Sequence, residues 1–175
     1  ALRPSLSHHP MGVWPTVAEI QIMVLCDNHG QGELQTEHGF ALWLHSPELN
    51  LLFDTGSGQT LLANAERLDI QLNDCKMVVL SHGHYDHSGG LDTLWQMGVQ
   101  CPVMAHPSVI LPRYSRHPHK PVRSIGMPTS VVTQLWDLPP QMRLWAMTAQ
   151  MLTPYWGTSG EIPRQDPLED VGGPF

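Results

Sequence analysis

Six consecutive positions, His82, Gly83, His84, Tyr85, Asp86 and His87, set three imidazoles and one carboxylate close enough along the chain to share metal ions. Such nitrogen and oxygen donors form a borderline-hard set suited to Zn, with Mn or Fe as alternatives. In an extended segment the side chains at 82 and 84 project to one side, so both can reach one ion. A turn at Tyr85 would then throw Asp86 and His87 onto a second position a few Å away. Two ions ~3.5–4 Å apart can share a bridging water, lower its pKa towards ~7 and clamp an oxyanion. The chemistry expected is therefore attack by a metal-bound hydroxide on a phosphoester, ester or amide-like bond of a small molecule. The pattern is specific: in a chain with 11 His, HxHxDH arises by chance on the order of a few times in a thousand.

Asp54, which ends the neighbouring predicted strand within the run FDTG, is the expected companion carboxylate. It either orients a ligand imidazole or the loop backbone, or serves as a turn residue for Thr55 to Gly58. Asp54 and Asp86 are thus the carboxylates expected in catalysis, and His82, His84, Asp86 and His87 the metal ligands. Four further residues are candidate substrate contacts. Asp27 and Asn28 follow a predicted strand and either line the same rim or form a turn pair. His38 either contacts substrate or is a hydrogen-bonded loop histidine, and Arg164 either binds a phosphate or carboxylate or is an exposed arginine. Arg113, Arg116, His117, His119, Lys120 and Arg123 form a diffuse basic stretch between prolines, which reads as a solvated loop ahead of a flap over an anionic substrate.

These residues need strands that end beside one another. Period-two patterning predicts a strand over EIQIMVLC (Glu19 to Cys26), then a hairpin of GFALWLHS (Gly39 to Ser46) and NLLFDTG (Asn50 to Gly56). TLLANAERL (Thr60 to Leu68) carries apolar residues at helical spacing. MVVLS (Met77 to Ser81) reads as a strand buried on both faces, and the histidine run follows it directly. LDTLWQM after Gly90 reads as a helix and CPVMA (Cys101 to Ala105) as another buried strand. The glycines at 83, 89 and 90 are expected to let the backbone turn tightly and pack a helix start close to the metals. Beyond Pro107 the periodicity weakens, and only a strand near Arg143 to Met147 is predicted. Alternating strands and helices make this an α/β chain, whose ligands gather beyond the carboxyl ends of the strands.

At 175 residues with 41% hydrophobic content the chain is expected to form one domain over residues 17–175, preceded by a flexible arm at 1–16. Nine Lys and Arg and a net charge of −7 argue against nucleic acid. A phosphorylated small molecule stays open, because one or two arginines suffice to hold it. Three widely spaced cysteines, Cys26, Cys75 and Cys101, read as reduced packing residues. No apolar run approaches the ~18 residues of a membrane span, and the start lacks a secretion signal's apolar core, so no membrane partner and a cytoplasmic location are expected.

HGHYDHSGG resembles the signature of the metallo-β-lactamase fold superfamily, and FDTG resembles the Asp-bearing segment that precedes it. The series Asp27-Asn28, EHGF (Glu37 to Phe40), LLFDTG, VVLSHGHYDHSGGL, MAHP (Met104 to Pro107) and SGEIPR (Ser159 to Arg164) resembles one branch of it, the dihydropterin ribofuranosyl-aminobenzene phosphate synthase-like proteins. The resemblance implies a metallo-β-lactamase-like αββα sandwich, here the N-terminal half plus part of the middle. It implies two Zn ions at the sheet edge, with His82 and His84 on the first and Asp86 and His87 on the second. It also implies later ligands, a His in a GCSH-like context, a bridging Asp and a last His, for which these residues offer no match. The expectation is a metal-dependent hydrolase or related transferase, with the alternative of a fragment or truncated copy that binds metal or ligand without turnover, or of a homo-oligomer or half assembly completed by another chain.

Overall fold

The computed structural model describes residues 19–163 together with 165 and 166. The arm expected at 1–16 and the candidate contact Arg164 lie outside the described residues.

Runs of apolar residues make β1 (Gln21–Cys26) and β2 (Ala41–His45), which pair antiparallel, and β2 pairs in turn with β3 (Asn50–Phe53). The β2–β3 turn is closed by Ser46, whose amide donates to the Leu49 carbonyl at 3.0 Å while its hydroxyl accepts from the Leu49 amide at 3.1 Å. Helix α1 (Leu61–Arg67) then crosses to β4 (Met77–Val79), which lies parallel to β3. After the histidine run come α2 (Tyr85–Ser88) and α3 (Gly90–Gln96), and the chain returns as β5 (Val103–Ala105), parallel to β4. A short two-stranded ribbon, β6 (Tyr114–Ser115) with β7 (Arg123–Ser124), precedes α4 (Thr129–Asp137), and β8 (Arg143–Trp145) adds parallel to β5. The six-stranded sheet runs β1-β2-β3-β4-β5-β8, and a second ribbon, β9 (Gln150–Met151) with β10 (Gly157–Thr158), follows it. The chain is α/β, with β3, β4, β5 and β8 all parallel.

One face of the sheet carries the core. Leu52, Val78 and Val103 are in register across β3, β4 and β5, and they pack with Leu61 and Ala65 of α1, Leu91 and Leu94 of α3, and Val131 and Leu135 of α4. Burying a leucine or valine side chain contributes roughly 1.5–3 kcal/mol, so this layer supplies most of the hydrophobic drive. The opposite face is less covered. Val79 and Met77 are only half-buried, which corrects the expectation that MVVLS is buried on both faces. Residues 152 and 156–159 border a cleft over Leu44, Leu51, Phe53 and Val79, but Ile20, Ile22 and Val24 at the β1 edge stay 44%, 62% and 44% exposed.

Helix α4 was not predicted. Its core residues, Val131 and Leu135, are spaced one helical turn apart among threonines and valines of low helix propensity, so the helical period is weak in the sequence. Pro128 stands at the helix start, where its missing N–H leaves nothing unpaired. All three cysteines are buried and free, as packing residues would be. Among the described residues no helix is long and apolar enough to cross a membrane.

Candidate metal centre

The parallel strands β3 and β4 end side by side, so Asp54 and Ser81 meet although 27 positions separate them. Asp54 turns out of β3 with φ of 55°, a left-handed conformation that aspartate tolerates better than most residues. Its carboxylate is 1% exposed and accepts from three donors: the Ser81 amide at 2.8 Å, the Ser81 hydroxyl at 2.6 Å and His87 Nδ1 at 2.8 Å. The Ser81 hydroxyl also lies 2.8 Å from His82 Nδ1. Because its one proton goes to an acceptor-only carboxylate, the serine accepts from His82, placing that ring's proton on Nδ1. One buried carboxylate thereby sets the tautomer of His82 through Ser81 and of His87 directly, leaving Nε2 of each neutral ring with its lone pair available.

The ligating atoms of Asp54, His82 and His87 all lie within 4.8 Å of one another. The His82 ring centroid is 4.2 Å from that of His87 and 4.5 Å from that of His84. His84 is extended, as the one-sided projection of 82 and 84 requires, and it precedes α2, which carries Asp86 and His87. Asp86 Oδ2 stands 3.7 Å from His87 Nε2.

The loop backbone is pinned from three directions. Phe40 N donates to Asp86 O at 3.1 Å, Thr55 N to His87 O at 2.8 Å, and Tyr85 N to Ile125 O at 3.1 Å. Glycines 83, 89 and 90 act through close approach, and Gly89, with φ of −64°, needs no unusual backbone angle. A Cβ on Gly83 would stand 1.8 Å from Val109 O, and one on Gly90 2.1 Å from Thr55 O.

Charge and burial tune the imidazoles differently. Burial, reinforced by His87 and His84, pushes the His82 pKa down to about 4, so this ring is neutral near pH 7. Burial also lowers His84, with the nearby Arg113 and His87 charges adding and Asp86 opposing. At His87 burial is outweighed by the hydrogen bond to Asp54 and by the charges of Asp54 and Asp86, and its pKa rises.

Two of the expected substrate contacts reach this site. Asn28 Oδ1 is 3.2 Å from His38 Nδ1 and accepts from the Gly39 amide at 3.3 Å, while His38 Nε2 is 3.2 Å from Asp86 Oδ2. Asp27 instead accepts from the His29 amide at 3.2 Å, as a turn residue does. The basic stretch divides: Arg116, His117, His119, Lys120 and Arg123 are exposed, whereas Arg113 is half-buried against Gly83.

Sequence reading gave no role to Ser81 or Glu37, and both hold the site together. The Glu37 carboxylate accepts from Ser57 N (2.9 Å), Ser57 Oγ (2.7 Å), Gln59 N (3.0 Å) and the Cys26 thiol (3.1 Å), fixing the loop against which Gly89 and Gly90 pack. Only an acid beside a Gly-Ser-Gly loop twenty positions away could have signalled this.

Beside the loop opens a cleft of about 510 Å³ lined by Ser81, His106, Ser108 and Glu161 among others. His106 Nδ1 accepts from the Ser108 amide at 3.2 Å, so its neutral ring carries the proton on Nε2, 4.0 Å from Glu161.

A family profile described as the Metallo-beta-lactamase superfamily matches residues 36–141. The uncharacterized protein MJ0448 of Methanocaldococcus jannaschii is 32% identical over 95 residues, which cover 54% of this chain and 37% of that protein. The 7,8-dihydropterin-6-methyl-4-(beta-D-ribofuranosyl)-aminobenzene-5'-phosphate synthase of the same organism is 26% identical over 110 residues, 58% of this chain and 37% of that one. The solved structure of Tm1679, described as a metal-dependent hydrolase of the beta-lactamase superfamily, aligns with a TM-score of 0.58 at 29% identity, covering 77% of this chain and 45% of that one. The chain thus spans less than half the length of each of these relatives.

Proposed function

Since the chain belongs to the metallo-beta-lactamase superfamily, we propose that His82, His84, Asp86 and His87 hold divalent metal and that the chain supplies this half of a metal-dependent hydrolase site. The observation that carries the reading is the Asp54 network, which aligns two imidazoles as ligands by fixing a proton on Nδ1 of each. A carboxylate oxygen of Asp54 lies within 4.8 Å of a ring nitrogen of His82 and of His87, but its oxygens already accept from three donors, so its role is to orient rather than to ligate. The nitrogen and carboxylate donors fit zinc, with manganese or iron as substitutes, and two ions in a complete site. When bound, such ions supply Lewis acidity and activate water.

The chain's own residues do the rest. Burial keeps His82 neutral, so no proton competes for it near pH 7. Asp86, 7% exposed, brings a negative charge that offsets that of the metal. Asn28 and His38 form the rim over Asp86, where they can meet a small-molecule substrate, and the cleft bordered by Ser81 and His106 gives that substrate room. Phosphoesters, esters and amide-like compounds are the proposed class, with a phosphorylated small molecule among them, in the cytoplasm. Titration with Zn²⁺ and Mn²⁺, followed by assays on p-nitrophenyl phosphodiester and p-nitrophenyl ester, tests this. Metal binding with turnover supports it, and a folded protein that binds neither ion refutes it.

The exposed Ile20, Ile22 and Val24 favour a second reading. In it the chain binds metal without turnover until another chain covers that face. Metal binding without hydrolysis, together with self-association in solution, would select it.

A further inference from the structure

We propose that Arg113 is a positioning residue for the metal-ligand turn His82–Gly83–His84, an inference that rests on the metal reading above. Arg113 follows a short 3-10 helix (Pro107–Ile110), and beyond the Leu111 amide, which donates to Ser108 O at 3.1 Å, no continuing helix donates to its last carbonyls. Its guanidinium gathers them: Nη1 donates to Leu111 O at 3.0 Å and Val109 O at 3.3 Å, and Nη2 donates to Ser108 O at 3.1 Å. Gly83 lies directly on this assembly, so that a Cβ there would stand 1.8 Å from Val109 O and 2.6 Å from Arg113 Nη1. The arginine therefore sets the surface on which the turn between the two histidines rests.

The backbone of Arg113 reaches the other side of the loop. Its carbonyl accepts from Ile125 N at 2.9 Å, and Ile125 O accepts from Tyr85 N at 3.1 Å, at the first residue of the helix that carries Asp86 and His87. Gly126, whose added Cβ would stand 3.0 Å from Arg113 N, pairs with His84 through an isolated bridge. One residue thus braces the turn at Gly83 through its side chain and the helix start at Tyr85 through its carbonyl. A planar fork spanning three carbonyls is specific to arginine, since lysine presents a single ammonium.

The test compares the parent with Arg113→Lys, Arg113→Ala, Gly83→Ala and the Gly83→Ala/Arg113→Ala double variant. Two readouts are used: Co²⁺ affinity with its visible absorption, and amide hydrogen exchange of the metal-free protein. Arg113→Lys keeps the charge and the aliphatic stem, so a folded protein is expected. It should bind Co²⁺ about 10–100-fold more weakly, the size of effect seen when groups that orient metal ligands are removed, with altered absorption. Its amides from residues 83 to 88 should exchange faster. Gly83→Ala should mimic this, and the double variant should lose less than the sum of the two single losses. Parent-like Co²⁺ affinity and parent-like exchange in Arg113→Lys overturn the proposal. If the parent binds no Co²⁺ the metal reading fails, and exchange alone then decides whether Arg113 braces the turn.

Discussion

Replacing Asp54 with asparagine isolates the network at the centre of the site. The shapes match and asparagine also accepts the left-handed backbone at this position, φ of 55°, so neither packing nor backbone strain confuses the result. What changes is donor count. Asp54 accepts from Ser81 N, Ser81 Oγ and His87 Nδ1, and an amide offers one acceptor oxygen and one NH₂. If the NH₂ faces the Ser81 amide, two donors oppose each other and a buried N–H loses its partner, at a cost of about 1–3 kcal/mol. If it faces His87, the ring must accept at Nδ1 and carry its proton on Nε2, the atom proposed for metal.

Both arrangements damage the site, so stability should fall by about 1–3 kcal/mol, lowering the melting temperature by roughly 2–12 °C. Zinc affinity should fall about 10–100-fold, equivalent to about 1.4–2.8 kcal/mol. Calorimetric melting and a zinc titration against a chromogenic chelator measure the two effects. A variant that holds zinc within a factor of about two of the parent, with an unchanged melting temperature, refutes the orienting role of Asp54.

Gly90→Ala should destabilise by more than about 2 kcal/mol, because the new methyl meets Thr55 O at 2.1 Å; chemical unfolding would show it, and a neutral substitution would contradict the close approach. Glu37→Gln removes the charge that holds Ser57 and Gln59 and should cost about 1–3 kcal/mol, read as a shift in the urea midpoint. For pH, His82 titrates at about 4 in the fold against an ordinary value of 6.5, so the unfolded chain takes up its proton first. The metal-free protein should therefore lose stability as pH falls from about 6.5 towards about 4. His87, raised above 6.5, acts oppositely: its contribution is present below 6.5 and fades as pH rises through its folded value. His82→Asn should flatten the acid loss in unfolding midpoints measured at several pH values, and an unchanged slope would show that burial of His82 is not its source.

The site was legible where its signal is local. HGHYDHSGG declares donors and glycines within a few positions, and FDTG names the carboxylate to which the loop is tied. The β3, β4 and β5 runs were readable because each is short, apolar and followed by a turn or loop. Partnerships across the chain were not readable: nothing near Ser81 says that it relays Asp54 to His82, and nothing near Glu37 points to Ser57. Arg113 was grouped with its basic neighbours because its role depends on carbonyls presented by a 3-10 turn, a backbone property with no residue signature. Helix α4 was missed because β-branched residues mask a spacing that only burial of Val131 and Leu135 reveals.

The central claim is that the histidine run binds metal. Its most direct measurement is the elemental content of zinc-loaded, gel-filtered protein, taken beside His84→Ala and Asp86→Ala with folding checked by circular dichroism. The account predicts that the parent retains zinc and that each variant stays folded but retains much less. Equal retention in all three, or none in a folded parent, would contradict it.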